Sequence, residues 1–296
     1  MREMGRKGMD KTGRPAFAAV SAAATTLAIC ASLAGAPLLL GGCSSGGTYS
    51  VGGEGVNAAR TFYGPDVTAT ATNGATVTVG RAYANMRGGI PEEIGIELVE
   101  GVLDVLPDPA FDEPGVYVAV LPQQAFGAVP FRAFVISDWS GHSPNGIGDV
   151  PHVHPVALLQ PRQPAAPPFT IERVPVAAEE VPAGYVPAFQ IPAVGNGTLA
   201  PGIGQGFEYP AAPQLQPGWN TIATNYFFYN GHMNGIGMGA TYDFLESRQS
   251  ASLAIAQPQV YPRPGYYPTR NSVRYDAQRG VHVFVLSDFV QAQRTL

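Results

Sequence analysis

Alternation of apolar and polar residues marks the first predicted strands of this chain. Residues 67–72 alternate threonine with valine or alanine, and residues 75–79 repeat the pattern after Asn73 and Gly74. An Asn-Gly pair between two such runs is a strong hairpin signal, because a type I′ turn requires positive φ at both central positions. The pattern therefore predicts a β-hairpin that turns at Asn73 and Gly74.

Short apolar runs predict further strands along the rest of the chain. They cover residues 94–98, 116–121, 131–138, 221–229, 239–244 and 281–286. Only residues 99–106 have apolar positions at helical spacing, and Pro107 follows them. Because proline cannot continue a helix, this pattern predicts one short helix over residues 99–106.

Prolines are concentrated between residues 160 and 218. Each proline removes a backbone donor and fixes φ, so the pattern predicts long loops over a core and no central strand, with residues 185–190 as an edge strand. The predicted fold class is therefore all-β, a mostly antiparallel sandwich or barrel-like domain with one short helix and long Pro-rich loops. This single domain is expected over residues 61–292.

The first 42 residues have the pattern of a secretory leader. Residues 1–14 carry five basic and two acidic side chains, and residues 16–40 carry no charge. A basic start, an apolar run and small residues before a cleavage point are typical of a signal peptide. The same run is long enough to span a bilayer, so a transmembrane anchor is the alternative interpretation.

The apolar run ends in Leu-Gly-Gly-Cys at residues 40–43 and resembles the bacterial lipobox. The resemblance implies that residues 1–42 are a lipoprotein signal peptide and that Cys43 is lipidated. The Gly- and Ser-rich residues 43–60 are then a flexible tether. The protein is expected to be secreted across the cytoplasmic membrane and held by lipid on its outer side or in the outer membrane.

Charge and cysteine content narrow the classes of partner and site. Five of the 17 basic and two of the 22 acidic residues lie in the leader, which leaves a formal charge of −8 on the remainder. An acidic chain without basic clusters argues against nucleic acid as a partner, so membrane attachment is expected through the N-terminal lipid alone. Apart from Cys30 and Cys43 the chain has no cysteine, which excludes a disulfide, a thiol nucleophile and a zinc-thiolate site in the domain.

Four of the five histidines occur in two similar glycine-rich stretches, residues 138–155 and 229–238. Both stretches contain Gly-His followed by Asn-Gly-Ile-Gly, which predicts loops that present histidines. Imidazoles suit transition metals such as zinc. The candidate metal ligands are therefore His142, His152, His154 and His232, with Asp138 or Asp149.

A role in turn structure is the competing interpretation of the same histidines. Turn histidines often bond backbone carbonyls, and Pro155 weakens the strand that a His-x-His pair of ligands needs. Convergence distinguishes the two interpretations, because imidazoles that share a metal must lie within a few ångströms of one another.

The first histidine stretch resembles the central block of a bacterial domain-of-unknown-function family. The matching positions, in order, are Asp138, Trp139, Gly141, His142, Pro144, Gly146, Asp149, Pro151 and His152. Further matches extend the resemblance over about residues 61–290. It implies a secreted or lipid-anchored β-rich domain without an established activity. The chain departs from the family at His154, Val156 and Gly206, where the family has aspartate and two histidines, so only His142 and His152 carry over.

Other chemistry has weaker support. No G-x-S-x-G nucleophile motif or phosphate-binding loop is present, and the acid pairs 92–93 and 179–180 lie beside prolines, as solvated loop charges do. Aromatic side chains could line a ligand groove, and the candidates are Tyr226, Tyr229, Tyr266 and Tyr267.

The sequence therefore favours a lipid-anchored cell-envelope protein that acts as a non-catalytic binding or structural module. A metal-binding protein or metal-dependent enzyme that uses the histidines is the alternative. Self-assembly into a homo-oligomer or contact with an envelope protein is a third possibility, since exposed strands can pair between copies.

Overall fold

Fourteen β-strands in two antiparallel sheets form nearly all the regular structure of the residues that the structure describes. The computed structural model describes residues 58–110, 114–142, 150–159, 175–191, 199–200 and 203–293. The strands are β1 (Ala59–Thr70), β2 (Thr76–Arg87), β3 (Ile90–Val99), β4 (Gly115–Val120), β5 (Ala133–Trp139), β6 (His152–Leu158), β7 (Val186–Pro187), β8 (Leu199–Ala200), β9 (Gly204–Glu208), β10 (Ile222–Tyr229), β11 (His232–Thr241), β12 (Ala251–Ala254), β13 (Gly265–Asp276) and β14 (Val281–Ala292).

The two sheets contain six and eight strands. The six-stranded sheet has the order β1-β2-β3-β14-β13-β12. The eight-stranded sheet has the order β4-β5-β6-β11-β10-β9-β7, and β8 pairs with β9 beside β7. Strands that are distant in sequence, such as β6 and β11, therefore lie side by side.

One large hydrophobic core joins the inner faces of the two sheets. Its fully buried side chains include Ile94, Ile96 and Phe284 from the six-stranded sheet and Phe134, Ile136 and Tyr226 from the eight-stranded sheet. Because side chains alternate along a strand, each sheet also has an outer face that points away from this core. This architecture confirms the predicted all-β class, with strands in most of the predicted places and one short α-helix among the described residues.

The first predicted hairpin forms, but with a different turn. Ala71 and Ala75 flank a three-residue loop in which Gly74 has a φ of 83° and Asn73 does not have a positive φ. The two-residue Asn-Gly turn occurs instead between β10 and β11, where Asn230 has a φ of 50° and Gly231 a φ of 83°. Positive φ at both positions is what a type I′ turn requires.

The predicted helix over residues 99–106 is wrong. Strand β3 runs to Val99, and only a 3₁₀ turn, Leu103–Val105, follows. Gly101 has a φ of 70°, which interrupts any α-helix there. The α-helix is α1 (Tyr242–Glu246), in a segment that was predicted to be a strand as far as residue 244. The hydroxyl of Thr241 accepts a hydrogen bond from the Phe244 amide and caps α1.

The described part of the Pro-rich stretch contains three strands, β7, β8 and β9, where its composition predicts one edge strand. Strand β9 is paired on both sides, to β10 and to β7 and β8, so the expected absence of central strands is wrong there. Residues 202–209 are free of proline, which leaves their backbone donors available for pairing. The predicted edge strand over residues 185–190 is reduced to β7 and a 3₁₀ turn, Ala188–Gln190.

Pro155 lies inside strand β6, in the interior of the sheet between β5 and β11. The pairing of β6 with β11 joins Val153 to Ala240 and resumes at Val156, so it skips the proline and the residue before it. His152 and His154 are consequently strand residues, and the predicted loop is wrong for both.

Among the described residues, no helix has the length and apolar character needed to cross a membrane.

Candidate functional site

The outer face of the eight-stranded sheet carries the predicted histidines of the first stretch. His152 pairs with Trp139 of β5 and with Thr241 of β11, and His154 pairs with Ser137 of β5. Paired residues share a face, and alternate residues such as Val153 point into the core. Two strands therefore place both imidazoles on the side of the sheet opposite to the core.

Three histidines and two tryptophans contact one another on this face. We call these five residues, His142, His152, His154, Trp139 and Trp219, the histidine–tryptophan cluster. The ring of His152 lies 5.0 Å from that of His142, 4.9 Å from that of His154 and 5.2 Å from that of Trp219. Trp139 lies 4.8 Å from His142, and the chain has no other tryptophan. The fold thus brings three of the four candidate histidines together.

The backbone fixes the tautomer of His152. Its Nδ1 lies 2.6 Å from the Val150 carbonyl oxygen, which can only accept, so Nδ1 carries the proton and donates it. The lone pair of His152 Nε2 is buried and has no partner among the described residues. The indole Nε1–H of Trp219 is also buried without a partner there. The cluster therefore holds one unpaired acceptor and one unpaired donor on neighbouring rings.

Burial keeps these imidazoles uncharged. Desolvation lowers the pKa of His152 to about 3, and the proximity of His142 contributes in the same direction. The pKa of His154 also lies well below its ordinary value, again because of burial first and the neighbouring histidines second. Both side chains are therefore neutral at neutral pH.

A glycine makes room for one of these rings. A β-carbon at Gly239 of β11 would lie 2.9 Å from Cε1 and Nε2 of His154, closer than real contacts of that kind. The ring of His154 thus occupies the space that a side chain at position 239 would take.

Substituting Gly239→Ala is expected to displace His154. We expect a loss of about 1–2 kcal/mol of unfolding free energy from overpacking, and a shift in tryptophan emission because His154 contacts Trp219. Urea unfolding and emission spectra measure the two effects. Gly127→Ala is the matched control, since a β-carbon there meets no atom within 4 Å. Unchanged stability and emission in Gly239→Ala would contradict this placement of His154.

A buried carboxyl group follows on the same outer face. Glu208 of β9 accepts hydrogen bonds from the side-chain amides of Gln214, at 2.6 Å, and Asn225, at 2.9 Å. Burial raises the pKa of Glu208 to about 7, although both amide donors oppose the shift. The opposite amide oxygens of Gln214 and Asn225 are buried without partners among the described residues. This group can therefore exchange a proton near neutral pH.

His232 does not join the cluster. It begins β11, whereas His152 pairs with Thr241 at the end of that strand, nine residues or about 30 Å away. Its Nδ1 lies 2.9 Å from Glu180 Oε1, and the second carboxylate oxygen of Glu180 accepts from the Met233 amide. His232 thus belongs to a separate hydrogen-bonded pair with Glu180 at the β10–β11 turn.

The two candidate aspartates do not complete a metal site. Asp138 points into the sandwich and accepts a hydrogen bond from the Tyr242 hydroxyl. Burial raises its pKa to about 6, against the effect of that hydrogen bond. Asp149 lies outside the described residues, as does the candidate lipidation site Cys43. Within the described ranges no group of three or more His, Cys, Asp or Glu side chains is placed to hold a metal ion.

The four tyrosines proposed for a groove do not line one surface. Tyr226 and Tyr267 are core residues, buried to 1% and 0% exposure, and their hydroxyls donate to the carbonyls of Ala256 and Arg263. Tyr229 and Tyr266 are partly buried. Tyr226 and Tyr267 are therefore strand residues that face the core, and they do not form a ligand groove.

The acid pairs also differ from solvated loop charges. Glu93 lies in β3 and pairs with Arg274 at 2.9 Å. Glu180 is buried beside His232. These carboxylates stabilise local structure, and the pairs 92–93 and 179–180 do not converge on a catalytic arrangement.

No sequence pattern marked Trp219, Glu208, Gln214 or Asn225 as residues of a site. The first three lie in or beside the Pro-rich stretch that was expected to form loops, and no motif marks them.

Compared with known proteins, the chain matches no protein-family model, no curated protein and no solved structure.

Proposed function

We propose that this chain is a lipid-anchored cell-envelope protein and that its sandwich is a non-catalytic binding module. The binding site is the histidine–tryptophan cluster. The observation that supports this proposal best is a pair of nitrogen atoms without hydrogen-bond partners among the described residues, His152 Nε2 as an acceptor and Trp219 Nε1–H as a donor. The centroids of the two rings are 5.2 Å apart.

The chemistry of this pair favours a hydroxylated ligand. A hydroxyl group can donate to His152 Nε2 and accept from Trp219 Nε1, so it matches both unpaired nitrogens. Trp139 and Trp219 keep 7% and 6% of their surface exposed, and the C–H surface of a ligand would pack against these indoles. Neutral polyols and sugars have this combination of hydroxyl groups and C–H surface.

The protonation states argue against catalysis at the cluster. An efficient general base has a pKa near the working pH. Burial holds the pKa of His152 at about 3 and that of His154 well below its ordinary value. These imidazoles bind hydrogen-bond donors at neutral pH but are too weakly basic to abstract protons.

Attachment to the envelope rests on the sequence. The basic start, the uncharged run and the Leu-Gly-Gly-Cys ending support removal of residues 1–42 and lipidation of Cys43. Mass spectrometry of the membrane fraction tests this part. A lipid-modified Cys43 at the N-terminus is expected, and retention of residues 1–42 would contradict it.

Tryptophan emission provides the test of binding, because both tryptophans of the chain lie in the cluster. Titration of the full chain with glucose and N-acetylglucosamine is expected to give a saturable change with at least one of them. His152→Asn should abolish the change, since its amide can still donate to Val150 while Nε2 is lost. His232→Asn, about 30 Å away along β11, is the matched control. No change with either sugar, or an equal change in His152→Asn, would overturn the proposal.

Metal binding is a second candidate function, favoured by the tautomer of His152. Histidines that bind metal usually donate the other ring N–H to a carbonyl or carboxylate, as Nδ1 of His152 does to Val150. The described residues alone place too few ligands, so His142 and His152 would need a further donor. Elemental analysis of the untagged chain should then show near-stoichiometric zinc, copper, nickel or iron that is lost in His152→Asn. Absence of metal would exclude this candidate.

A further inference from the structure

A cavity of about 350 Å³ lies at one end of the sandwich, and none of the five residues of the histidine–tryptophan cluster lines it. The end of β3, the loop after it, helix α1 and His282 of β14 form its walls. Its volume falls within the range of about 300–1,000 Å³ that is typical of small-molecule sites. Its apolar wall residues include Leu98, Leu103 and Leu245.

His282 is a polar residue in the wall of this cavity whose side chain has no hydrogen-bond partner among the described residues. Its side chain lines the cavity with only 6% exposure, and it makes no hydrogen bond within the described part of the chain. Its ring lies 5.1 Å from that of Tyr275. Burial lowers the pKa of His282, so at neutral pH the imidazole is uncharged and can accept a hydrogen bond.

The charged side chains that line the cavity carry more negative than positive charge. Glu100 is neutralised by Arg248, whose Nε donates to it at 2.6 Å, and its other oxygen accepts from the Tyr275 hydroxyl. Asp104 and Glu246 also line the cavity, are exposed and have no ion-pair partner among the described residues. Two negative charges therefore remain at the mouth of a partly apolar cavity.

Arg248 is held in place despite an unfavourable backbone. Its φ is 54°, a left-handed conformation that is uncommon outside glycine, and its guanidinium lies 4.9 Å from the centre of the Tyr275 ring. The ion pair with Glu100 and the contact with Tyr275 keep this cation at the wall. The acceptors at Asp104 and Glu246 are thereby left for a ligand.

We propose that this cavity binds a small organic cation, a primary ammonium group on an apolar body. The ammonium lies toward Asp104 and Glu246 and can donate to His282, and the apolar body packs against Leu98, Leu103 and Leu245. An organic cation fits better than a metal ion, because no described group of three ligating side chains is placed to hold a metal. This site is independent of the proposed binding at the histidine–tryptophan cluster.

The test uses 2-phenylethylamine as the probe and 2-phenylethanol as its uncharged analogue. A saturation-transfer NMR titration of the full chain should give saturable binding of the amine and at least about fivefold weaker binding of the alcohol. The double variant Asp104→Asn/Glu246→Gln should weaken amine binding by about five- to tenfold at low salt and leave alcohol binding unchanged. Asp243→Asn is the matched control, an exposed acid on α1 that does not line the cavity.

A second variant tests whether the probes bind inside this cavity. Leu103→Phe, at a partly buried wall position, enlarges one side chain of the apolar wall and should weaken the binding of both probes. No tryptophan lines this cavity, so tryptophan emission should not respond to either probe, which separates this site from the cluster. Absence of amine binding, equal affinity for amine and alcohol, or equal effects of the rim double variant and Asp243→Asn would each overturn the proposal.

Discussion

Below pH 6.5 the histidine–tryptophan cluster is expected to make the protein progressively less stable. The folded protein holds the pKa of His152 at about 3, whereas the ordinary value is 6.5. Between these values the unfolded chain binds a proton that the folded chain does not. Stability is therefore present above pH 6.5 and lost as the pH falls toward 3, by about 1.4 kcal/mol per pH unit from this residue.

At pH 5 the contribution of His152 alone amounts to a loss of about 2 kcal/mol. The lowered pKa of His154 acts in the same direction. Urea unfolding of the full chain between pH 5 and 8, with a chelator present, measures the slope. The variant His152→Asn should lack the His152 part of this slope, because its amide does not titrate.

A matched change at an exposed histidine controls for the substitution itself. The side chain of His232 is 65% exposed and lies outside the cluster, so His232→Asn controls for the replacement of a histidine by asparagine. If His152→Asn and the original chain had parallel pH profiles between pH 5 and 6.5, the imidazole of His152 would not be buried and uncharged in the folded protein.

Glu208 should give the opposite pH dependence. Its pKa is about 7 in the folded protein and ordinarily 4.5, so the folded chain binds the extra proton between these values. The stability it contributes is fully present below pH 4.5 and is lost as the pH rises through 7. The difference corresponds to about 3 kcal/mol by pH 8.

Replacing Glu208 with glutamine should remove this loss. The glutamine amide imitates the protonated carboxyl and can donate to the unpartnered oxygens of Asn225 or Gln214. In urea unfolding we expect Glu208→Gln to match the original chain near pH 5 and to exceed its stability by about 3 kcal/mol at pH 8. Glu179→Gln, at an exposed position, controls for the loss of a negative charge. A constant difference between Glu208→Gln and the original chain across this range would contradict a buried, proton-exchanging Glu208.

The two effects oppose each other in the unmodified protein between pH 5 and 6.5. His152 and His154 destabilise it as the pH falls, while Glu208 and Asp138, whose pKa is about 6, stabilise it. The overall stability can therefore change little with pH even though each group contributes strongly. Single variants are needed to separate the contributions.

Local patterns determined much of the fold. Alternation at residues 67–72 and 75–79 and the apolar run at 281–286 correctly predicted strands. The alternation of buried and exposed residues can be recognised within a single strand, without knowledge of its neighbours. The same logic failed at residues 99–106, where apolar spacing suited a helix but Gly101 adopts positive φ. It failed again at β9, because the density of prolines in a region does not show which short interval is free of them.

The sequence by itself determined the class of the fold. It also gave the expectation of a leader at the N-terminus and the histidines that are candidates for a site, although not Trp219. Tertiary structure decided which of them meet. Pairing of β5, β6 and β11 placed Trp139, His152 and His154 on one face of the sheet and left His232 at the far end of β11. Strand order also set the charge states, since burial lowers the pKa of His152 and raises that of Glu208. Such contacts join residues up to about 100 positions apart, and no local pattern encodes them.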